Sequence, residues 1–176
     1  MGSEMRKKDS SLKWYLVPFL VVLFLLLVPV VLVWILIHFI FKLTALVLVW
    51  LLWSTRGITL LTVYSNSPHW QDYFEKGVLP LVSNRSQVLN WSNRSQWTPS
   101  LKTVLFSLFK GETDYNPMIL RLTPLSWPKQ IRFYQAFKDA KHGNLNLLQI
   151  CEKELSEWLD TSINLDHLHP HPRPSV

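Results

Sequence analysis

From Trp14 to Trp53 the chain is apolar except at His38, Lys42 and Thr44. A run of ~18 or more apolar residues reads as a membrane segment. A buried helix of a soluble core is shorter and carries a polar stripe; this run has none. A cleaved signal peptide has an apolar core of ~7–15 residues and then a small-residue cleavage site, and no such site follows here. The segment is therefore expected to stay on as an anchor. Myristoylation is not expected, because Arg6 stands where that motif wants Ser or Thr.

The run is too long for one crossing. A straight helix from Tyr15 to Trp53 would span almost 60 Å at ~1.5 Å per residue, against a hydrocarbon core of ~30 Å. Tilt does not absorb a factor of two. Three arrangements answer the problem. A helical hairpin would have legs at about Tyr15–Leu36 and from Leu43 to Trp53 or beyond. Its turn would lie at His38–Lys42, with Lys42 snorkelling to headgroups and both termini cytosolic. A single crossing would run from about Leu16 to Phe41 and leave 43–53 at the far interface or against a partner membrane protein. A helix kinked at Pro18 or Pro29 is a variant of the second.

Charge orients the anchor. The formal net charge is +6, and its excess lies at the membrane end, where Arg6, Lys7, Lys8 and Lys13 precede the apolar run. The positive-inside rule puts that end in the cytosol, with Trp14 and Tyr15 in the interfacial aromatic belt. His38, Lys42 and Arg56, the last following the run, are expected at a membrane interface. The basic residues do not cluster on one face of the soluble part as a nucleic-acid footprint would.

Three Asn-x-Ser triplets, at Asn84, Asn90 and Asn93, lie in "SNRSQVLNWSNRSQW". They are glycan acceptors only if this segment is lumenal. The pentapeptide Ser-Asn-Arg-Ser-Gln occurs twice, so a short duplication accounts for two of them. The single cysteine, Cys151, allows no intrachain disulfide and leans the soluble part toward the cytosol.

After the anchor, residues 54–67 read as a juxtamembrane tether and 68–160 as a small, mainly helical domain with a polar loop at 83–97. Trp70, Tyr73, Phe74 and Val78 have helical spacing and no cationic face, which favours a core helix over a membrane-surface one. Thr98 as N-cap and Pro99 as first residue open a helix that Gly111 closes. Met118 to Leu122 reads as a short extended piece. Ser126 and Pro128 open a helix through "KQIRFYQAFKDAKHG" with Ile131, Tyr134, Phe137 and Ala140 inward. Leu147, Leu148, Cys151, Leu155 and Trp158 make a matching face, so the last two helices form an antiparallel hairpin. Residues 161–176 read as a disordered Pro/His tail.

Catalytic chemistry is hard to find. The five glycines build no P-loop, no dinucleotide turn and no nucleophile elbow. Cys151 and His142 are the one thiol–imidazole pair close in sequence, and Cys151 sits on an apolar helix face where it reads as a small core residue. His167, His169 and His171 alternate with prolines in the tail, without a fixed set of further ligands. No cofactor, metal or nucleic acid is expected.

The sequence thus points to a small membrane-anchored, mainly α protein, with one transmembrane helix or a hairpin. It is expected in the endomembrane system, first of all the endoplasmic reticulum, with partners that are the bilayer and a membrane or soluble protein. A non-enzymatic adaptor, accessory subunit or membrane-organising role is the first expectation. A membrane-anchored enzyme of lipid or glycan metabolism and a channel or transporter subunit are the alternatives.

Overall fold

The computed structural model describes residues 3–160, with side chains from Leu16 onward. The tail with His167, His169 and His171, and the side chains of Trp14 and Tyr15, lie outside the described residues. The chain divides into two compact units, Met1–Thr44 and Ala45–Val176.

One helix, α1 (Ser3–Trp53), contains the whole apolar run, with Pro18 and Pro29 inside it. The hairpin is not formed. The helix passes straight through His38–Lys42, where there is no Gly, Asn or Pro to turn the backbone, and Thr44 donates its hydroxyl back to the Ile40 carbonyl at 2.9 Å. Leu16 to Phe41 are exposed almost throughout.

The second unit is not simply helical. It holds a four-stranded mixed sheet of order β2-β1-β3-β4, built from β1 (Leu60–Tyr64), β2 (Ser86–Asn90), β3 (Met118–Arg121) and β4 (Lys129–Arg132). β1 pairs with β2 in parallel and with β3 antiparallel, and β3 pairs antiparallel with β4. The expected tether therefore contains β1, one of the two central strands, and every residue of β1 is buried. The expected polar loop contains β2. The helix expected to start near Ser126 is in its first part β4, and α4 begins only at Tyr134 and runs to Ala140. In β4 only Ile131 turns fully inward, opposite Ile119, which is the period of two of a strand.

Alternation along β1 divides two cores. Leu60 and Tyr64 point into one, closed by the wide helical turn Tyr73–Val78, its continuation α2 (Leu79–Val82), α4 and α5 (Asn146–Leu159). Tyr73, Phe74, Phe133 and Phe137 meet there edge-on, with ring centroids 5.0 Å apart for Tyr73–Phe137 and 5.3 Å for Phe74–Phe133, a favoured aromatic geometry. Leu61 and Val63 point into the other core, with Met118, Leu120, and Leu105 and Phe106 of α3 (Leu101–Phe109). Ala45, Val49 and Trp53 complete this second core. Their spacing of four residues is one stripe of a helix, so the last turns of α1 belong to the domain.

Local signals explain the ends of the elements. α3 is capped by Ser100, not Thr98, in a reciprocal box with Thr103. The α4–α5 link turns at Gly143, whose φ of 87° suits glycine.

Candidate functional site

Two surfaces stand out, and α1 carries the first. A stretch of 41 residues, Leu16–Arg56, is long and apolar enough to cross a membrane. At ~1.5 Å per residue it measures roughly 60 Å, twice a hydrocarbon core of ~30 Å. The last turns of this stretch are shared with the domain. There Ala45, Val49 and Trp53 face the domain, while Leu43, Val47, Leu48, Trp50, Leu51 and Leu52 remain 41–54% exposed. Any aqueous setting leaves this apolar band uncovered, and bands of this kind mark interaction sites.

His38 stacks on Trp34, with centroids 5.8 Å apart and planes 8° from parallel. Lys42 is half-buried. Arg56 is exposed, in the short turn Ser54–Arg56 that Gly57 ends at φ 70°.

The second surface lies at the carboxyl ends of the parallel strands, where open α/β sheets place their ligands. Asn66 follows β1 and Asn90 ends β2. The Asn90 Nδ2 donates to Asn66 Oδ1 at 2.6 Å, and Asn90 Oδ1 accepts from the Ser92 backbone at 2.9 Å. The Asn66 backbone N–H donates to Ser92 Oγ at 3.0 Å, and Trp97 Nε1 donates to the Asn90 carbonyl at 3.2 Å. On the neighbouring turn, Glu75 Oε1 accepts from the Tyr64 hydroxyl at 3.1 Å and from Gln71 at 3.2 Å. Burial first, and then this carboxylate, raise the Tyr64 pKa above its ordinary value. Beside Asn90 lies a cleft of about 250 Å³, lined in part by Asn93, Gln96, Trp97, Ser100 and Lys102. Amides and hydroxyls dominate, so the surface can bind or be modified.

The three Asn-x-Ser triplets differ in what their side chains do. Asn90 is committed to the pairings just described and is half-buried. Asn84 is exposed in the turn before β2, but the hydroxyl of its triplet, on Ser86, is buried at 2.8 Å from the Thr62 hydroxyl. Asn93, Arg94 and Ser95 are all exposed, in a run of short helical turns, Trp91–Gln96, that kinks at Asn93.

Cys151 and His142 are not brought together as a reactive pair. Cys151 is buried, with its Sγ 3.8 Å from the Arg132 carbonyl, whereas His142 is exposed in the α4–α5 turn. Burial, reinforced by Glu154 and Glu152, pushes the thiol up to about 11, the opposite of what a nucleophilic thiolate needs. Nearby, the Tyr73 hydroxyl donates to Glu152 at 2.8 Å, and burial raises its pKa as well. Among the described residues, no group of three His, Cys, Asp or Glu is placed to hold a metal ion.

Sequence reasoning singled out Asn90 for its triplet but missed its partner Asn66, which lay in the expected tether. The available signal was the run Ile58 to Tyr64, apolar but for two threonines, before a Ser-Asn-Ser-Pro turn. A strand buried on both faces reads that way. In comparisons with protein-family models, with curated proteins and with solved structures, the chain matches none, so these surfaces are interpreted from its own residues.

Proposed function

We propose that this chain is a single-pass membrane protein of the endomembrane system that serves as a non-enzymatic accessory subunit. The observation that carries this is the length of α1. Its outer face stays apolar and exposed over about twice the bilayer core, and its own domain covers only the Ala45–Val49–Trp53 stripe. Residues 43–52 are apolar on nearly every face outside that stripe, which makes a poor surface-lying amphipathic helix. A partner membrane protein with an apolar helix or groove satisfies them. The buried, proton-holding Cys151 supports a binding role over thiol catalysis.

The orientation follows from the single crossing. Arg6, Lys7, Lys8 and Lys13 hold the amino-terminal end in the cytosol, and one helix then delivers the domain to the lumenal side. This proposal sets the single crossing above the hairpin and the missing disulfide, the two grounds for the lean toward the cytosol. A photoactivatable residue at Leu48 or Leu51, with Leu25 as the mid-membrane control, tests the reading in cells. A discrete adduct with another protein at 48 and 51, but not at 25, is expected. Lipid adducts alone at all three positions would refute it, and adducts of twice the chain's own mass would replace it with self-association.

A further inference from the structure

The three Asn-x-Ser triplets are equal as motifs and unequal as side chains. We propose that Asn84 and Asn93 carry N-linked glycans and that Asn90 does not; this rests on the lumenal orientation of the domain argued above. The reaction takes a lipid-linked pyrophosphate oligosaccharide as donor. The Asn amide nitrogen forms a bond to C1 of the first sugar and gives up a proton. The C1–oxygen bond to the pyrophosphate breaks, and the lipid pyrophosphate leaves.

The fold accepts the product at two positions and rejects it at the third. A sugar on Asn90 Nδ2 would occupy the nitrogen that lies 2.6 Å from Asn66 Oδ1. It would also crowd the Ser92 hydroxyl, which accepts from the Asn66 backbone. That pairing closes the carboxyl end of β1 onto β2; a glycosylated Asn90 keeps one N–H, so a glycan there opposes the native sheet end by crowding a half-buried side chain rather than by removing its hydrogen bond. Asn84 and Asn93 are exposed, and neither side-chain amide makes a hydrogen bond among the described residues. A glycan at either leaves the sheet intact.

The two acceptors also differ in timing. The Ser86 hydroxyl of the first triplet is buried against Thr62 once β2 has docked, so Asn84 must be modified before the sheet closes. The Asn93 triplet stays open after folding, because Ser95 is exposed as well. Asn93 also lines the cleft beside Asn90, and its glycan would screen that cleft from large ligands. The partner expected on α1 is left untouched by this.

The test is the mobility of the full chain, made in cells or with microsomes, before and after N-glycosidase. Asn84→Gln, Asn90→Gln, Asn93→Gln and Ser95→Ala are run beside it, with protease protection of the domain in the same membranes. Two steps of shift are expected for the native chain and for Asn90→Gln. One step is expected for each of Asn84→Gln, Asn93→Gln and Ser95→Ala, and none for the Asn84/Asn93 double variant. A step that disappears only in Asn90→Gln overturns the assignment. No shift with a protease-protected domain overturns the glycans but keeps the orientation; no shift with a protease-sensitive domain overturns both.

Discussion

The two faces of the sheet are closed in different ways. One is covered by the helical turns at Tyr73–Val82 and by α4 and α5, all supplied by the domain itself. The other is covered by α3 and by the last turns of α1, which are borrowed from the apolar run. In sequence, Ala45, Val49 and Trp53 cannot be told from the exposed apolar residues before them. In the fold they are core. The difference teaches that the apolar helix and the domain share residues, so the domain does not begin where the apolar run ends.

The largest effect expected is therefore from a charge on the borrowed stripe. Val49 is 4% exposed, and Val49→Asp would bury an unpaired carboxylate in the second core. A loss of about 4–5 kcal/mol is expected, enough to unfold many small domains. The same substitution at Val47, 44% exposed on the same helix, is expected to leave domain stability nearly unchanged. Thermal unfolding in detergent, followed by protease resistance of the domain, separates the two. Equal effects at 47 and 49 would break the comparison between the faces.

Removing one large side chain from each face comes next. Trp53→Ala on the borrowed face and Phe74→Ala on the domain's own face are each expected to cost about 3–5 kcal/mol. Trp53 is 7% exposed and Phe74 0%, so the loss at Phe74 should be the larger within that range. Chemical denaturation read by near-ultraviolet dichroism ranks them. If Trp53→Ala costs no more than an exposed position such as Leu26→Ala, α1 does not contribute to the core.

A polar pair sharpens the comparison further. Thr62 and Ser86 hydrogen-bond at 2.8 Å across β1 and β2, and both are buried. Ser86 also donates to its neighbour's carbonyl, Gln87, at 3.1 Å. Thr62→Val keeps the shape and removes one partner, which is expected to cost about 1–2 kcal/mol. The buried side chains of the α1-side core offer no such pair. A melting point for Thr62→Val equal to that of the native chain would show the hydroxyls to be satisfied elsewhere.

What the sequence made legible follows the physics of each element. The α4–α5 pair and the inward set Leu148, Cys151, Leu155 and Trp158 were readable because 3.6-residue periodicity survives on half-buried helices; the apolar run was readable by its length alone, and its continuation as one helix through His38–Lys42 was not. β1 was not, because a strand buried on both faces loses its alternation and here follows an apolar run without a break. β4 was hidden by residues that suit a helix; its pairing with β3 overrides that propensity. The two copies of Ser-Asn-Arg-Ser-Gln show the same limit. Residues 83–87 lead into β2, whereas 92–96 form short helical turns, and only the tertiary setting distinguishes them. The triplet asparagines were visible as motifs, but the Asn66–Asn90 pairing that separates them needed the register of β1 against β2.

The smallest effect is one of pH, and it belongs to the domain's own face alone. The buried members of the α1-side core are Ala, Val, Trp, Leu, Phe and Met, with no titratable side chain. The opposite core holds Cys151, whose thiol rises from an ordinary 9.0 to about 11. Below about 9 the thiol is protonated in both folded and unfolded chains, and its contribution is fully present. Above that, the unfolded chain loses the proton while the folded one keeps it. The unfolded state then binds fewer protons, so stability falls as pH rises from about 9 toward 11. Tyr73, also raised, adds to the same alkaline limb at higher pH. Cys151→Ala should lower the melting temperature somewhat at neutral pH through lost packing, yet flatten its decline between pH 9 and 11. Val49→Ala, on the other face, should lower the whole curve and leave that slope alone. Parallel slopes in both variants would mean that Cys151 does not titrate with folding, and the distinction between the two cores would then rest on packing alone.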